Sequence, residues 1–155
     1  MTNPGDSPGI RVIPPLVYAI AFLIGYGLEH AWPLVDESWK WTSAGGIILA
    51  CASFFLVVPA ILLFRRASTP LDVRKPATTL ITQGPYRYSR NPQYLALTLL
   101  YSGLALLTAS AWVLVLLVPT LVVMTYGVVK KEEAYLERHF GDEYREYKSR
   151  VRRWL

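Results

Sequence analysis

Cysteine is nearly missing from this chain of 155 residues: Cys51 stands alone. A disulfide scaffold is thereby excluded, and a small packing residue is the simplest role for that thiol. Charge is also scarce, at 17% Asp, Glu, Lys and Arg, against about 25% in an average soluble domain. It is absent altogether from residues 12–28, 43–64 and 94–129, runs of 17, 22 and 36 residues. A water-soluble globule and a disordered chain are both excluded by such runs, since about 20 apolar residues cross the hydrocarbon of a bilayer. Only two histidines occur, His30 and His139, with no His/Cys cluster to hold zinc. There is no Gly-x-Gly-x-x-Gly fingerprint, no P-loop and no Gly-x-Ser-x-Gly elbow.

What is present is a hydrophobic fraction of 53% and a mean hydropathy of +0.30. The longest uncharged run would make a helix of about 54 Å, too long for one crossing. Thr108-Ala109-Ser110, its least apolar stretch, predicts a hairpin. An all-α polytopic membrane protein follows, as a single domain over 1–155. Four spans are expected at about 12–30, 43–64, 92–108 and 111–129, followed by an amphipathic helical tail. Pro59 and Pro119 fall inside two spans, where packing shape is their simplest role. The first span reads as retained rather than as a cleaved signal, since only Arg11 precedes it and no small-x-small site follows.

The net charge of +5 is placed unevenly. Arg65, Arg66, Arg74, Lys75, Arg87 and Arg90 crowd the second loop, and the tail adds more basic residues. The first loop instead carries Glu29, Asp36 and Glu37 against Lys40. The positive-inside rule then puts both termini and the 65–94 loop in the cytoplasm. Trp32, Trp39, Trp41 and Trp112 would form an interfacial belt at the opposite face.

A polar segment of this density exceeds what a plain four-helix protein needs. Gln83-Gly84-Pro85-Tyr86 predicts a turn, and Asn91-Pro92 a helix start with Asn91 as the cap. Arg87, Arg90, Asn91 and Tyr94 then surround a helix N-terminus suited to an anion. The competing reading makes these arginines mere topology determinants. In the tail, Leu136, Phe140, Tyr144, Tyr147, Val151 and Trp154 recur at helical steps, as on a helix lying on a surface. Gly141 should break that helix, and Asp142 should cap its second half. Glu132 and Glu133 fall on or beside the apolar stripe, where carboxylates are costly unless they bind something. Lys130 and Lys131 offer the simpler explanation, neutralisation at a helix exit.

The segment Gly84-Pro85-Tyr86-Arg87-Tyr88-Ser89-Arg90-Asn91-Pro92-Gln93-Tyr94-Leu95 precedes a second element. There, Glu132-Glu133 leads into a Phe-Gly-x-x-Tyr-x-x-Tyr run from Phe140 to Tyr147. Together they resemble the isoprenylcysteine carboxyl methyltransferase and phospholipid methyltransferase superfamily of small integral-membrane enzymes. The resemblance covers about 67–155. It implies S-adenosylmethionine as cofactor, held by elements 84–95 and 130–147. Carried over residue by residue, Arg90, Asn91 and Tyr94 are the candidate catalytic positions. Cofactor contacts are expected from these three and from Tyr86, Arg87, Pro92, Glu132, Glu133, Tyr144 and Tyr147. Three departures stand out: Asn91 replaces a histidine, Ala96 a common glycine, and Val151-Arg152-Arg153-Trp154 the usual Val-Pro-Arg-Trp.

The implied activity is methyl transfer to an amphiphile entering sideways from the bilayer. It would be either carboxyl O-methylation of an isoprenylcysteine-like molecule or N-methylation of a lipid amine. Two other readings are a sterol-type membrane reductase and a non-enzymatic scaffold that binds anionic lipids through its basic loop. No nucleic-acid partner and no metal are expected.

Overall fold

The computed structural model describes residues 9–10, 12–35 and 43–155. Arg11, the loop charges Asp36, Glu37 and Lys40, and the belt residues Trp39 and Trp41 lie outside the described residues. Among those described, every regular element is helical. Helix α1 is Pro14–Ala31, α2 is Ser43–Arg66, α3 is Pro92–Leu107 and α4 is Ala111–Met124. A wide π turn at Thr125–Val129 leads without a break into α5, Lys130–Phe140, and α6 follows at Asp142–Arg150.

Among the described residues, two helices are long and apolar enough to cross a membrane: Ser43–Arg66 and the continuous Ala111–Phe140. At 30 residues the second is about 45 Å long, so its charged end beyond Val129 projects past the hydrocarbon. Their outward faces are apolar, with Phe54, Phe55 and Val118 more than 60% exposed. Such a surface is stable only against lipid or another apolar partner.

Helix α2 packs along α3, and α1 along α4. The first pair touches backbone to backbone: a Cβ on Gly103 would sit 2.8 Å from the Gly46 carbonyl oxygen. Close approach through small residues is how helices associate when lipid removes the hydrophobic drive. Hydrogen bonds join α2 to α3, α3 to α4 and α1 to α3. Ser53 Oγ donates to the Ala96 carbonyl at 2.7 Å, Tyr101 Oη to that of Val113 at 2.9 Å, and the Tyr18 and Thr98 hydroxyls meet at 2.8 Å.

The expected hairpin is present: α3 ends at Leu107, Ala109 turns at φ +47°, and Ser110 caps α4 by accepting from the Val113 N–H. Glu29 completes that end, accepting from Ser110 Oγ, Trp112 N–H and Leu34 N–H. Trp32 and Trp112 lie together there, the indole N–H donating to the Trp32 carbonyl at 2.7 Å.

Two capping expectations are corrected. Helix α3 does start at Pro92 with Asn91 at the cap position, but the Asn91 side chain makes no capping bond; its amide donates to the Arg153 carbonyl. The tail breaks at Gly141, φ +56°, yet Asp142 is in the first turn of α6 and pairs with Arg145 rather than capping. The apolar stripe also finds a protein surface: Leu136, Phe140, Tyr144, Tyr147 and Val151 pack against Leu63, Phe64 and residues 80–86.

Candidate functional site

The polar segment, the start of α3 and the tail converge on one cleft. Its floor is Tyr86, Arg90, Asn91, Gln93 and Tyr94, its wall is Glu132, Tyr135, Tyr144 and Tyr147, and residues 69–81 cover it. The cover is tied down where the Ala77 N–H donates to the Tyr135 hydroxyl at 3.1 Å. Inside it is narrow, about 60 Å³, the share of about two water molecules.

Tyr86 is buried and fixed at both ends. Its hydroxyl accepts from Gln93 Nε2 at 3.0 Å, and its carbonyl accepts from the Tyr147 hydroxyl at 2.7 Å. Burial raises the phenols of both, and that of Tyr144 up to about 12, so all three stay neutral.

The two glutamates separate. Glu132 lines the cleft and accepts from the Tyr94 hydroxyl at 2.5 Å. Burial pushes its carboxyl up to about 7, the Tyr94 hydroxyl opposing and Glu133 adding to the rise. Glu133 lies outside the lining, buried against two arginines. Arg153 holds it in a fork, Nε to Oε1 at 3.0 Å and Nη2 to Oε2 at 2.7 Å, while Arg90 Nη2 stands 3.5 Å from Oε1. Lys130 and Lys131 are exposed, Lys130 lying over the Tyr126 ring. The preceding π turn inserts a residue into the helical register and rotates α5 by about 100°. Both carboxylates owe their facing to it.

Arg90 is the most informative side chain. Only 9% exposed, it leaves Nε and Nη1 buried without a hydrogen-bond partner. A buried guanidinium with unpaired N–H groups is costly unless an acceptor completes it. Those unpaired N–H groups, with tyrosines and a glutamate in the same lining, match in chemistry the carboxylate, hydroxyls and ring of an amino-acid nucleoside.

Of the residues singled out in the sequence, Tyr86, Arg90, Asn91, Tyr94, Glu132, Tyr144 and Tyr147 line the cleft. Pro92 is buried in the first turn of α3, and Arg87 is exposed outside the lining. Three contributors were missed. Gln93 sits inside the quoted motif but carries no pattern of its own. Tyr135 bears no signal except its helical position, and Arg153 none beyond its place in the Val151-Arg152-Arg153-Trp154 run, since α6 ends at Arg150 before it.

A second, larger cavity of about 350 Å³ adjoins the cleft, walled by Ile13, Val57, Ile61 and Leu97 among the start of α1, α2 and α3. Leu71, Asp72, Val73, Gln93 and Tyr94 border both spaces. At this border Arg74 pairs with Asp72 at 2.8 Å and holds its carboxyl down at about 2.

The family model for phospholipid methyltransferase matches residues 41–143, which include α2, α3, α4, the cover and the glutamate pair. An uncharacterized protein of Haemophilus influenzae is 46% identical over 61 residues, 39% of this chain and 94% of that relative. No solved structure matches.

Proposed function

The chain belongs to the phospholipid methyltransferase family, and from that premise we propose that it is an integral-membrane enzyme methylating a bilayer amphiphile at the expense of S-adenosylmethionine. The observation that carries this reading is Arg90, which lines the cleft with Glu132 and keeps two buried guanidinium nitrogens unpartnered. A reductase or a lipid-binding scaffold gains no support from the family.

The four helices cross the bilayer, with the cleft and both termini on the cytoplasmic side. Support comes from the basic residues of 65–94 and the tail, clustered at the cleft's end of the molecule. The cofactor, when bound, supplies a methyl group made electrophilic by its sulfonium. Arg90 offers an unpaired N–H to a carboxylate, Glu132 accepts from hydroxyl or ammonium groups, and Tyr86 and Tyr144 form the ring-lined wall. Admission of a nucleoside to so narrow a space requires the 69–81 cover to swing out, releasing Ala77 from Tyr135.

The acceptor's apolar chain suits the second cavity, with its head at the Gln93–Tyr94 border. Alignment there and exclusion of water by the cover are the chain's main contributions to the displacement. Asp72 on that border, and Glu132 bonded to Tyr94 in the cleft behind it, favour an amine head. An amine must first lose a proton, and Glu132, near 7, is placed to accept it. A carboxylate acceptor, as in an isoprenylcysteine, is the second reading, because Arg74 lines the same cavity.

Calorimetric titration of the detergent-purified protein with S-adenosylhomocysteine tests the proposal. Saturable binding is expected for the wild type and for Arg65→Ala, and its loss in Arg90→Ala. A folded wild type that binds nothing overturns the reading.

A further inference from the structure

The end of the chain folds back onto the segment that carries Arg90. The Arg90 N–H donates to the Arg152 carbonyl at 3.0 Å. The Arg153 carbonyl accepts from both Ser89 Oγ at 3.2 Å and Asn91 Nδ2 at 3.0 Å. Ser89 Oγ in turn accepts from the Asn91 N–H at 3.1 Å. Trp154 anchors the strap by packing against the helical core. Three consecutive residues before α3 are thus held by the last turn of backbone, 60 residues away in sequence.

The side chains continue the same connection. Glu133, 7% exposed in its side chain, is gripped at both oxygens by the Arg153 fork. Its remaining lone pairs face Arg90 Nη2 at 3.5 Å, which is an ion-pair distance rather than a tight hydrogen bond. Arg90 is therefore attracted toward Glu133 at one nitrogen but not consumed by it. Had Arg153 been absent, Glu133 would be free to take Arg90 in a two-pronged pair, the geometry an unshared carboxylate and guanidinium prefer.

We infer that Arg153 is a positioning residue: by occupying both oxygens of Glu133 it leaves the Nε and Nη1 hydrogens of Arg90 unpaired, so that Arg90, in the lining of the cleft, is free to receive a carboxylate ligand. Glu133 is then an internal counter-ion that touches Arg90 and not the ligand, while Glu132 faces the ligand. The inference rests on the methyl-donor reading for the identity of that carboxylate, the amino-acid end of the cofactor.

Two ligands separate positioning from general support. S-Adenosylhomocysteine carries the carboxylate, and 5′-methylthioadenosine is the same nucleoside thioether without it. Arg153→Ala is expected to weaken the first by about 10- to 100-fold and the second by less than about 2-fold, the loss of one charge-assisted pairing. Arg153→Lys, which keeps the charge but not the fork, should fall between wild type and alanine for the first ligand only. Helical circular dichroism and the thermal midpoint establish that each variant is folded. Should Arg153→Ala not fold, the lysine variant decides by the ratio of the two Kd values. Equal weakening of both ligands, or of neither, overturns the role given to Arg153 and leaves the methyl-donor reading standing. A wild type that binds neither ligand overturns both together.

Discussion

The Tyr94 hydroxyl donates to Oε2 of Glu132 across 2.5 Å, joining the first turn of α3 to α5 at the bottom of the cleft. Removing that hydroxyl leaves a buried carboxylate short of a donor, a loss of about 1–3 kcal/mol. Tyr94→Phe should therefore lower stability by that amount at pH 8, where Glu132 is ionised. Thermal unfolding in detergent measures it, and an unchanged midpoint argues against the bond.

Glu132 also sets a pH dependence. Its folded-state value, near 7, lies above the ordinary 4.5, so between these the folded state binds more protons than the unfolded. The contribution of Glu132 to stability is greatest below 4.5, falls as pH rises toward 7, and is level above. Glu132→Gln removes this titration. The midpoint of the variant relative to wild type should rise steadily from pH 4.5 to 7 and then stay flat. A difference independent of pH contradicts the burial of this carboxyl.

Gly103 and Gly27 should respond oppositely to alanine. At Gly103 the new Cβ meets the backbone of α2, 2.8 Å from the Gly46 oxygen and 3.0 Å from the Ala50 nitrogen, and neither side can yield alone. Overpacking of this kind costs about 1–3 kcal/mol. Nothing lies within 4 Å of a Cβ at Gly27, and removing a helical glycine there should gain about 0.5–1 kcal/mol. Denaturant unfolding of the two variants compares them directly.

Tyr135→Phe cuts the tie between α5 and the cover at Ala77. Limited proteolysis within 69–81 should become several times faster, and S-adenosylhomocysteine should associate faster while the helical content stays constant. Unaltered cleavage would mean that the cover is held elsewhere.

Much of this protein is determined by local sequence. The helices follow from uncharged runs and punctuation: Pro92 opens α3, Thr108 to Ser110 turn the hairpin, and Gly141 breaks the tail. Each acts within a few residues, through missing N–H groups, a side-chain cap or a permitted φ. The convergence of the 84–95 box with the Glu132 pair was equally legible, because one hairpin returns the chain to the end where it began. What tertiary structure alone decided is which group faces which. Glu132 and Glu133 are neighbours in sequence with the same chemistry. A π turn and a strap of backbone aim one at Tyr94 and the cleft, the other at Arg153. Asn91 stands at the cap position, yet its Nδ2 donates to a carbonyl 62 residues away and its side chain makes no capping bond. Hydrogen bonds and ion pairs at that separation depend on where a chain end returns to, and no local pattern records that.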